Sequence, residues 1–377
     1  MLRGYVNESS FLVCVVFAVA WLTLPLKKTL SLKLRWTSVD TYFALLMAWF
    51  AGVVLVHALL RTSPAVTKNH VAALIQNLGC YAAMRYFPLD RVQPALRWLS
   101  GIFAFAVLFA AQADLNILIA GQSDNLSAAN YQGLARAFLI TSAFGYAGAK
   151  LISVRSIGYF FTICVLFLMG ARSEIFGALV LFFLIESIYS RRPVRFFLVV
   201  GSILALGAAV LLGSLDALSE LFPGNRLLML LTMGGDDGSV MERKIYQDLS
   251  WTAVFNSPIT GDYGHYERVA SAGAYAHNWL SIWVDLGLIG LVLYIILHCV
   301  ALHSVLLVYR AAVRYGDEGL KRQTAISIAF LIMVGIFNLF SKTFTDTGLA
   351  TAAGLVSLLS LSRPINKFSN SMRGPDV

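Results

Sequence analysis

The sequence predicts an all-α polytopic membrane protein, and three observations carry that expectation. The 377 residues are 58% hydrophobic and only 13% charged, whereas soluble proteins are about 45–50% apolar and about 25% charged. The mean hydropathy is +0.73. Apolar runs of about 20 residues, the length that crosses a hydrocarbon core of ~30 Å, recur from one end of the chain to the other. Because the runs are continuously apolar and do not alternate, a closed β-barrel is excluded.

The runs fall near 10–26, 39–60, 71–87, 98–120, 131–149, 157–171, 173–189, 196–215, 279–303, 323–340 and 344–361. They predict about eleven transmembrane helices in a single integral membrane domain, 1–377. The first run lacks a small-residue cleavage site and is followed by Lys27-Lys28, so it is expected to stay in the chain.

The net charge of +9 does not point to nucleic acid, because the basic residues sit in short clusters between runs. Lys27, Lys28, Lys33 and Arg35 follow the first run, Arg91 and Arg97 the third, Lys150 and Arg155 the fifth. Arg191, Arg192 and Arg195 follow the seventh, Arg310, Arg314, Lys321 and Arg322 the ninth, and Arg363, Lys367 and Arg373 the eleventh. Every strongly basic connection thus falls on one side, which the positive-inside rule makes the cytoplasm. The amino terminus is then periplasmic and the carboxyl terminus cytoplasmic. The four cysteines, Cys14, Cys80, Cys164 and Cys299, are isolated in apolar surroundings without metal spacing, so neither a metal nor a cofactor is expected.

One connection is long. Residues 216–278, between the eighth and ninth runs, form a polar loop that the charge alternation places in the periplasm. The loop carries Asp236, Asp237, Glu242, Arg243, Lys244, Asp248, Asp262, His265, Glu267 and Arg268. Within it, Ser239–Phe255 places Val240, Ile245, Leu249 and Val254 at amphipathic helical spacing, and Ser239 with Glu242 reads as a capping box.

Several polar residues stand where lipid should exclude them. Arg172 lies in Gly170-Ala171-Arg172-Ser173-Glu174, between two runs that leave almost no loop. It is either a snorkelling arginine paired with Glu174 or a ligand for phosphate oxygens, which its planar fork suits. Arg136 lies one turn into the fifth run, and is either a helix-packing partner or a ligand contact. Arg243 opens the loop helix, where a solvated charge is the common role. Together the three gather cations on the outer leaflet, which suits an anionic group such as a diphosphate. His277, at the entry to the ninth run, is either structural or a general base for a hydroxyl. Asp114 is a helix-pairing group or a site carboxylate. Lys342 and Asp346 are expected to pair with each other, and Gly287 and Gly290 to permit close helix packing.

Three segments resemble one family. Ser239-Val240-Met241-Glu242-Arg243 followed by Asn256-Ser257-Pro258-Ile259-Thr260-Gly261 resembles its Arg…Pro-hydrophobic-x-Gly loop. Tyr275-Ala276-His277-Asn278-Trp279-Leu280, with Asp285-Leu286-Gly287-Leu288-Ile289-Gly290, resembles its His-Asn…(Glu/Asp)-Leu-Gly-Leu-Ile-Gly segment. Gly170-Ala171-Arg172-Ser173 resembles its Ser/Ala-Arg-Ser turn. The family is the O-antigen polymerase and O-antigen ligase superfamily of bacterial inner-membrane glycosyltransferases, and the resemblance spans roughly residues 130–295.

The resemblance implies metal-independent transfer of a glycan from an undecaprenyl diphosphate carrier at the periplasmic face. Arg172 and Arg243 would hold the diphosphate, with Arg136 as a third cation. His277 would position or deprotonate the acceptor hydroxyl, and Tyr275 and Asn278 beside it would contact substrate. The expected function is O-antigen polymerase, since short, divergent members of the family tend to be polymerases. The alternatives are an O-antigen ligase acting on lipid A–core, and a polyprenyl-linked glycan flippase. The flippase would call for charges along a central path and an inverted repeat, neither of which the sequence displays. Partners implied are the lipid-linked oligosaccharide, membrane lipid and a chain-length regulator protein.

Overall fold

A computed structural model describes residues 36–86, 89–113, 128–189, 213–221, 238–270 and 279–361, with isolated positions such as Leu228 and Ala276. Among the described residues all regular structure is α-helical. The helices are α1 (Ser38–Leu60), α2 (Pro64–Tyr86), α3 (Leu89–Ala113), α4 (Ala128–Ala147), α5 (Ile152–Leu168) and α6 (Arg172–Tyr189). After them come α7 (Leu215–Leu221), α8 (Gly238–Asn256), α9 (His265–Val269), α10 (Leu280–Tyr315), α11 (Glu318–Phe340) and α12 (Gly348–Leu361). The chain is a helical membrane protein in which α1, α10 and α11 are long and apolar enough to cross a bilayer. Helices α5 and α12 are shorter apolar helices. The first apolar run and most of the eighth lie outside the described residues, as does Asp114.

Local sequence sets the reversals. Thr37 caps α1, and the Asp40 carboxylate accepts the Thr37 N–H in return at 2.6 Å, a reciprocal capping box. Gly170 takes φ +65 after α5. Its N–H donates to the Phe167 carbonyl and that of Ala171 to Leu166, the paired bonds of a Schellman turn. That turn leaves no loop between α5 and α6, as the adjoining apolar runs predict. Gly316 repeats the device after α10 at φ +67, and Asp317 then caps α11 through the Leu320 N–H at 2.9 Å.

Helix α11 is the axis of the bundle. It packs on α10, α6 and α12, and Ala325, Ile326, Ala329, Phe330, Leu331 and Met333 along it are shielded completely. Around it α12 lies on α2, α10 on α1, and α3 on α4. Leu55, Leu59, Ile157, Phe160, Phe176 and Ile295 remain exposed, as hydrocarbon-facing side chains should be.

The short connections make neighbouring helices antiparallel and give the bundle two distinct ends. At one end Arg155 forks onto Glu186, with Nε to Oε1 at 2.5 Å and Nη2 to Oε2 at 2.9 Å. Arg155, Lys321 and Arg322 gather on the Tyr189 ring at 5.5, 5.6 and 5.2 Å. Asp40, capping α1 at this same end, pairs with Arg85 at 3.0 Å and accepts the Ser357 hydroxyl at 2.7 Å. The basic connections after the fifth and ninth runs therefore share one end, while those after the first, seventh and eleventh lie outside the described residues. The candidate site occupies the other.

Candidate functional site

The site end is built around a break in a helix. Within α10, Gly287 adopts φ +69 and ψ −175, which interrupts the helical ladder. Loop residues supply what the ladder loses: the Asp262 N–H donates to Val284 O at 2.7 Å, and the Leu288 N–H to Ile259 O at 3.1 Å. The Leu286 carbonyl beside the break accepts the Trp49 indole N–H of α1 at 3.0 Å. Trp283 Nε1 donates to Pro258 O at 2.7 Å. Two glycines allow this approach of backbone to backbone. A Cβ on Gly261 would stand 2.5 Å from Val284 O, and one on Gly287 2.7 Å from Thr260 C. Both have positive φ.

The segments Pro258–Gly261 and Asp285–Gly290 are thus two halves of one docking joint. Asp285 reinforces it, its Oδ1 accepting the Gly264 N–H at 3.3 Å. His70 of α2 stands behind, with Nε2 3.7 Å from Asp285 Oδ2 and Nδ1 3.2 Å from the Tyr263 hydroxyl. Burial pushes the Tyr263 hydroxyl up to about 12, so it stays protonated. Helix α8 lies on the first turns of α10 through Ala253, Val254, Leu280 and Val284, flanked by Trp251, Trp279 and Trp283.

Beside the joint, α4, α6 and the α11–α12 turn bring charges together. Arg136 of α4 is 7% exposed and donates through Nη2 to Asp346 Oδ1 at 2.7 Å. Its guanidinium lies 4.6 Å over the Phe337 ring. Its Nε and Nη1 are buried and unpartnered. Two orphaned donors on a buried cation are costly unless something else accepts from them. Across Phe337, whose ring abuts Gly177 of α6, Lys342 Nζ stands 2.8 Å from Glu174 Oε1. Lys342 and Asp346 therefore do not pair with each other, which corrects the sequence expectation. The tight turn holds each toward a different helix. Arg172, the first residue of α6, opens the same turn that carries Glu174.

Residues 157–295 match the family model described as O-antigen ligase. Over that segment the chain is similar to the O-antigen polymerase and ligase superfamily. No curated protein matches the chain. The matched segment takes in the α5–α6 turn with Arg172, helices α8 and α9, the docking joint and the first turns of α10. Arg136, Lys342 and Asp346 lie outside the matched residues, yet the fold carries them to the same end.

Of the residues singled out from sequence, Arg136 and Arg172 are brought to one end of the bundle on the packed pair α4 and α6. Arg243 stands exposed in the first turns of α8, a helix packed chiefly on α10. His277, Tyr275 and Asn278 lie outside the described residues; between them Ala276 is fully buried, in the cluster of Tyr266, Leu280 and Val284. Among the described residues no three His, Cys, Asp or Glu side chains have the arrangement to hold a metal ion. Sequence reasoning missed His70, a lone histidine in an apolar run. It also missed the divided pairing of Lys342 and Asp346.

Proposed function

We propose that the protein is an O-antigen polymerase working at the periplasmic face of the inner membrane. It would transfer oligosaccharide repeat units between undecaprenyl diphosphate carriers. The observation that carries this is Arg136: a buried guanidinium with two unused donors, at the bundle end where Arg172 opens α6. A diphosphate offers the acceptors that such a fork wants.

In the reaction, the acceptor sugar's hydroxyl oxygen attacks the anomeric carbon of the donor glycan. A glycosidic C–O bond forms as the bond from that carbon to the diphosphate oxygen breaks. His277 takes the hydroxyl proton. The departing undecaprenyl diphosphate gains charge, which Arg172, Arg243 and Arg136 offset. Tyr275 and Asn278 contact the sugars. The membrane orientation follows the charge alternation, with the loop at 216–278, the amino terminus outside and the carboxyl terminus inside. A chain-length regulator would dock from the membrane.

A second function is favoured by the description of the matching family: an O-antigen ligase, which would hand finished polymer to lipid A–core. Both are tested by complementation. In a polymerase-null strain the wild-type gene restores long polysaccharide ladders, and alanine variants of Arg172, Arg243 and His277, at matched membrane levels, do not. Full ladders from those variants would refute the site. Rescue of a ligase-null strain in place of the polymerase-null strain would assign the second function.

A further inference from the structure

We propose that Lys342 is a further cation of the diphosphate site, held in place by Glu174 until the anion arrives; this rests on the diphosphate assignment above. Lys342 stands just past Ser341, the C-cap of α11, and its N–H donates to the Phe337 carbonyl at 2.9 Å, which fixes the turn. Its side chain is 12% exposed and that of Glu174 only 1%. Lys342 Nζ meets Glu174 Oε1 at 2.8 Å, the distance of a charge-assisted contact. The other oxygen, Oε2, accepts the Ser173 hydroxyl at 2.7 Å, one residue from Arg172.

A buried ion pair whose task is to staple helices offsets its desolvation cost by filling its hydrogen-bond capacity. The opposite end of this bundle contains such a pair. Arg155 and Glu186 are bidentate, and Arg155 Nη1 also donates to the carbonyls of Ala149 and Lys150. The pairs at the site end differ from it: Arg136 keeps two buried donors, Nε and Nη1, without a partner, and Lys342 meets Glu174 as a flexible point charge and not as a fork. The two pairs flank Phe337, with Arg172 two residues from Glu174. An arriving diphosphate supplies acceptors for the unused Arg136 donors. It also competes with Glu174 for an ammonium that has three rotatable donors. Lys342 then follows the phosphate as charge builds on it, a task for which a flexible point charge suits better than a rigid fork.

The test measures calorimetric binding of inorganic pyrophosphate to the full-length protein in detergent. The variants are Lys342→Gln, Lys342→Arg, Glu174→Gln and, at the opposite end, Lys321→Gln. Lys342→Gln should weaken binding by about tenfold or more, the worth of one charge-assisted hydrogen bond. Lys342→Arg should retain most of the affinity, and Lys321→Gln all of it. Glu174→Gln should bind pyrophosphate at least as tightly as wild type, because a competitor for Lys342 is gone. A merely structural pair gives the other pattern, with Lys342→Gln and Glu174→Gln weakening binding alike and melting alike at lower temperature. That pattern, or unchanged binding by a folded Lys342→Gln, overturns the proposal while leaving the diphosphate assignment standing. Wild-type protein that binds no pyrophosphate overturns both.

Discussion

Gly261 and Gly287 face each other across a gap that holds only backbone, each at positive φ, with a hydrogen bond on either side of them. One belongs to the loop and the other to a helix, and neither position has room for a methyl group. Gly287→Ala should therefore cost ~1–3 kcal/mol in backbone strain alone and loosen the loop. Limited proteolysis of membrane-embedded protein should then cut within 257–270 faster than in wild type, with polysaccharide synthesis reduced. Unchanged proteolysis would show that the joint does not hold the loop.

Arg136 and Asp346 can be separated into their structural and functional parts. Arg136→Ala leaves the half-buried Asp346 carboxylate with only the Gly348 N–H as partner and should destabilise by about 1–3 kcal/mol. The double variant Arg136→Met with Asp346→Leu removes both charges and should recover most of that melting temperature. It should not recover polymer synthesis, since the donors are gone. Recovery of both in the double variant would make the pair structural only.

The ion pair at the opposite end supplies a contrast. Arg155→Ala strands Glu186, which is fully buried, and should again cost about 3–5 kcal/mol. Protein that remains folded at low temperature should still bind pyrophosphate with wild-type affinity. Weakened binding there would mean that the two ends are coupled.

Asp285 offers a graded test of the joint. Asp285→Asn keeps an oxygen for the Gly264 N–H and should retain the loop with modest loss of function. Asp285→Ala leaves that buried N–H unsatisfied, at a cost of about 1–3 kcal/mol, and should free the loop. Equal behaviour of the two variants, read by proteolysis and by ladder length, would point to the carboxylate charge and not to the hydrogen bond.

Much of the architecture was legible because it is written in local pattern. The α5–α6 turn is announced by Gly170 between two apolar runs, and α8 by the spacing of Val240, Ile245, Leu249 and Val254. The charge alternation gathered Arg155 and Arg322 onto one side before any packing was known. The site was legible only in part. Gly287 looks in sequence like any packing glycine in an apolar helix, because hydropathy carries no information about φ. The partners of Arg136 and Lys342 lie 210 and 168 residues away, Asp346 after Arg136 and Glu174 before Lys342. No local pattern encodes such pairings; they arise when α4 and α6 pack on the end of α11. The same distance hides His70, whose role appears only once Tyr263 and Asp285 close around it.

The interruption of α10 has a consequence for how the molecule opens. At 36 residues this helix would rise about 54 Å if unbroken, well beyond the ~30 Å of hydrocarbon. Its first seven residues, Leu280–Leu286, are tied to the loop, by the Asp262 N–H on the Val284 carbonyl and the Gly264 N–H on the Asp285 carboxylate. Cooperative units follow hydrogen bonding and burial more than nominal helix boundaries. In amide exchange, the head of α10 should therefore lose protection together with residues 257–264, while Leu291 onward persists with the membrane bundle. The functional loop would then be a unit that reaches into the top of a transmembrane helix and breathes with it.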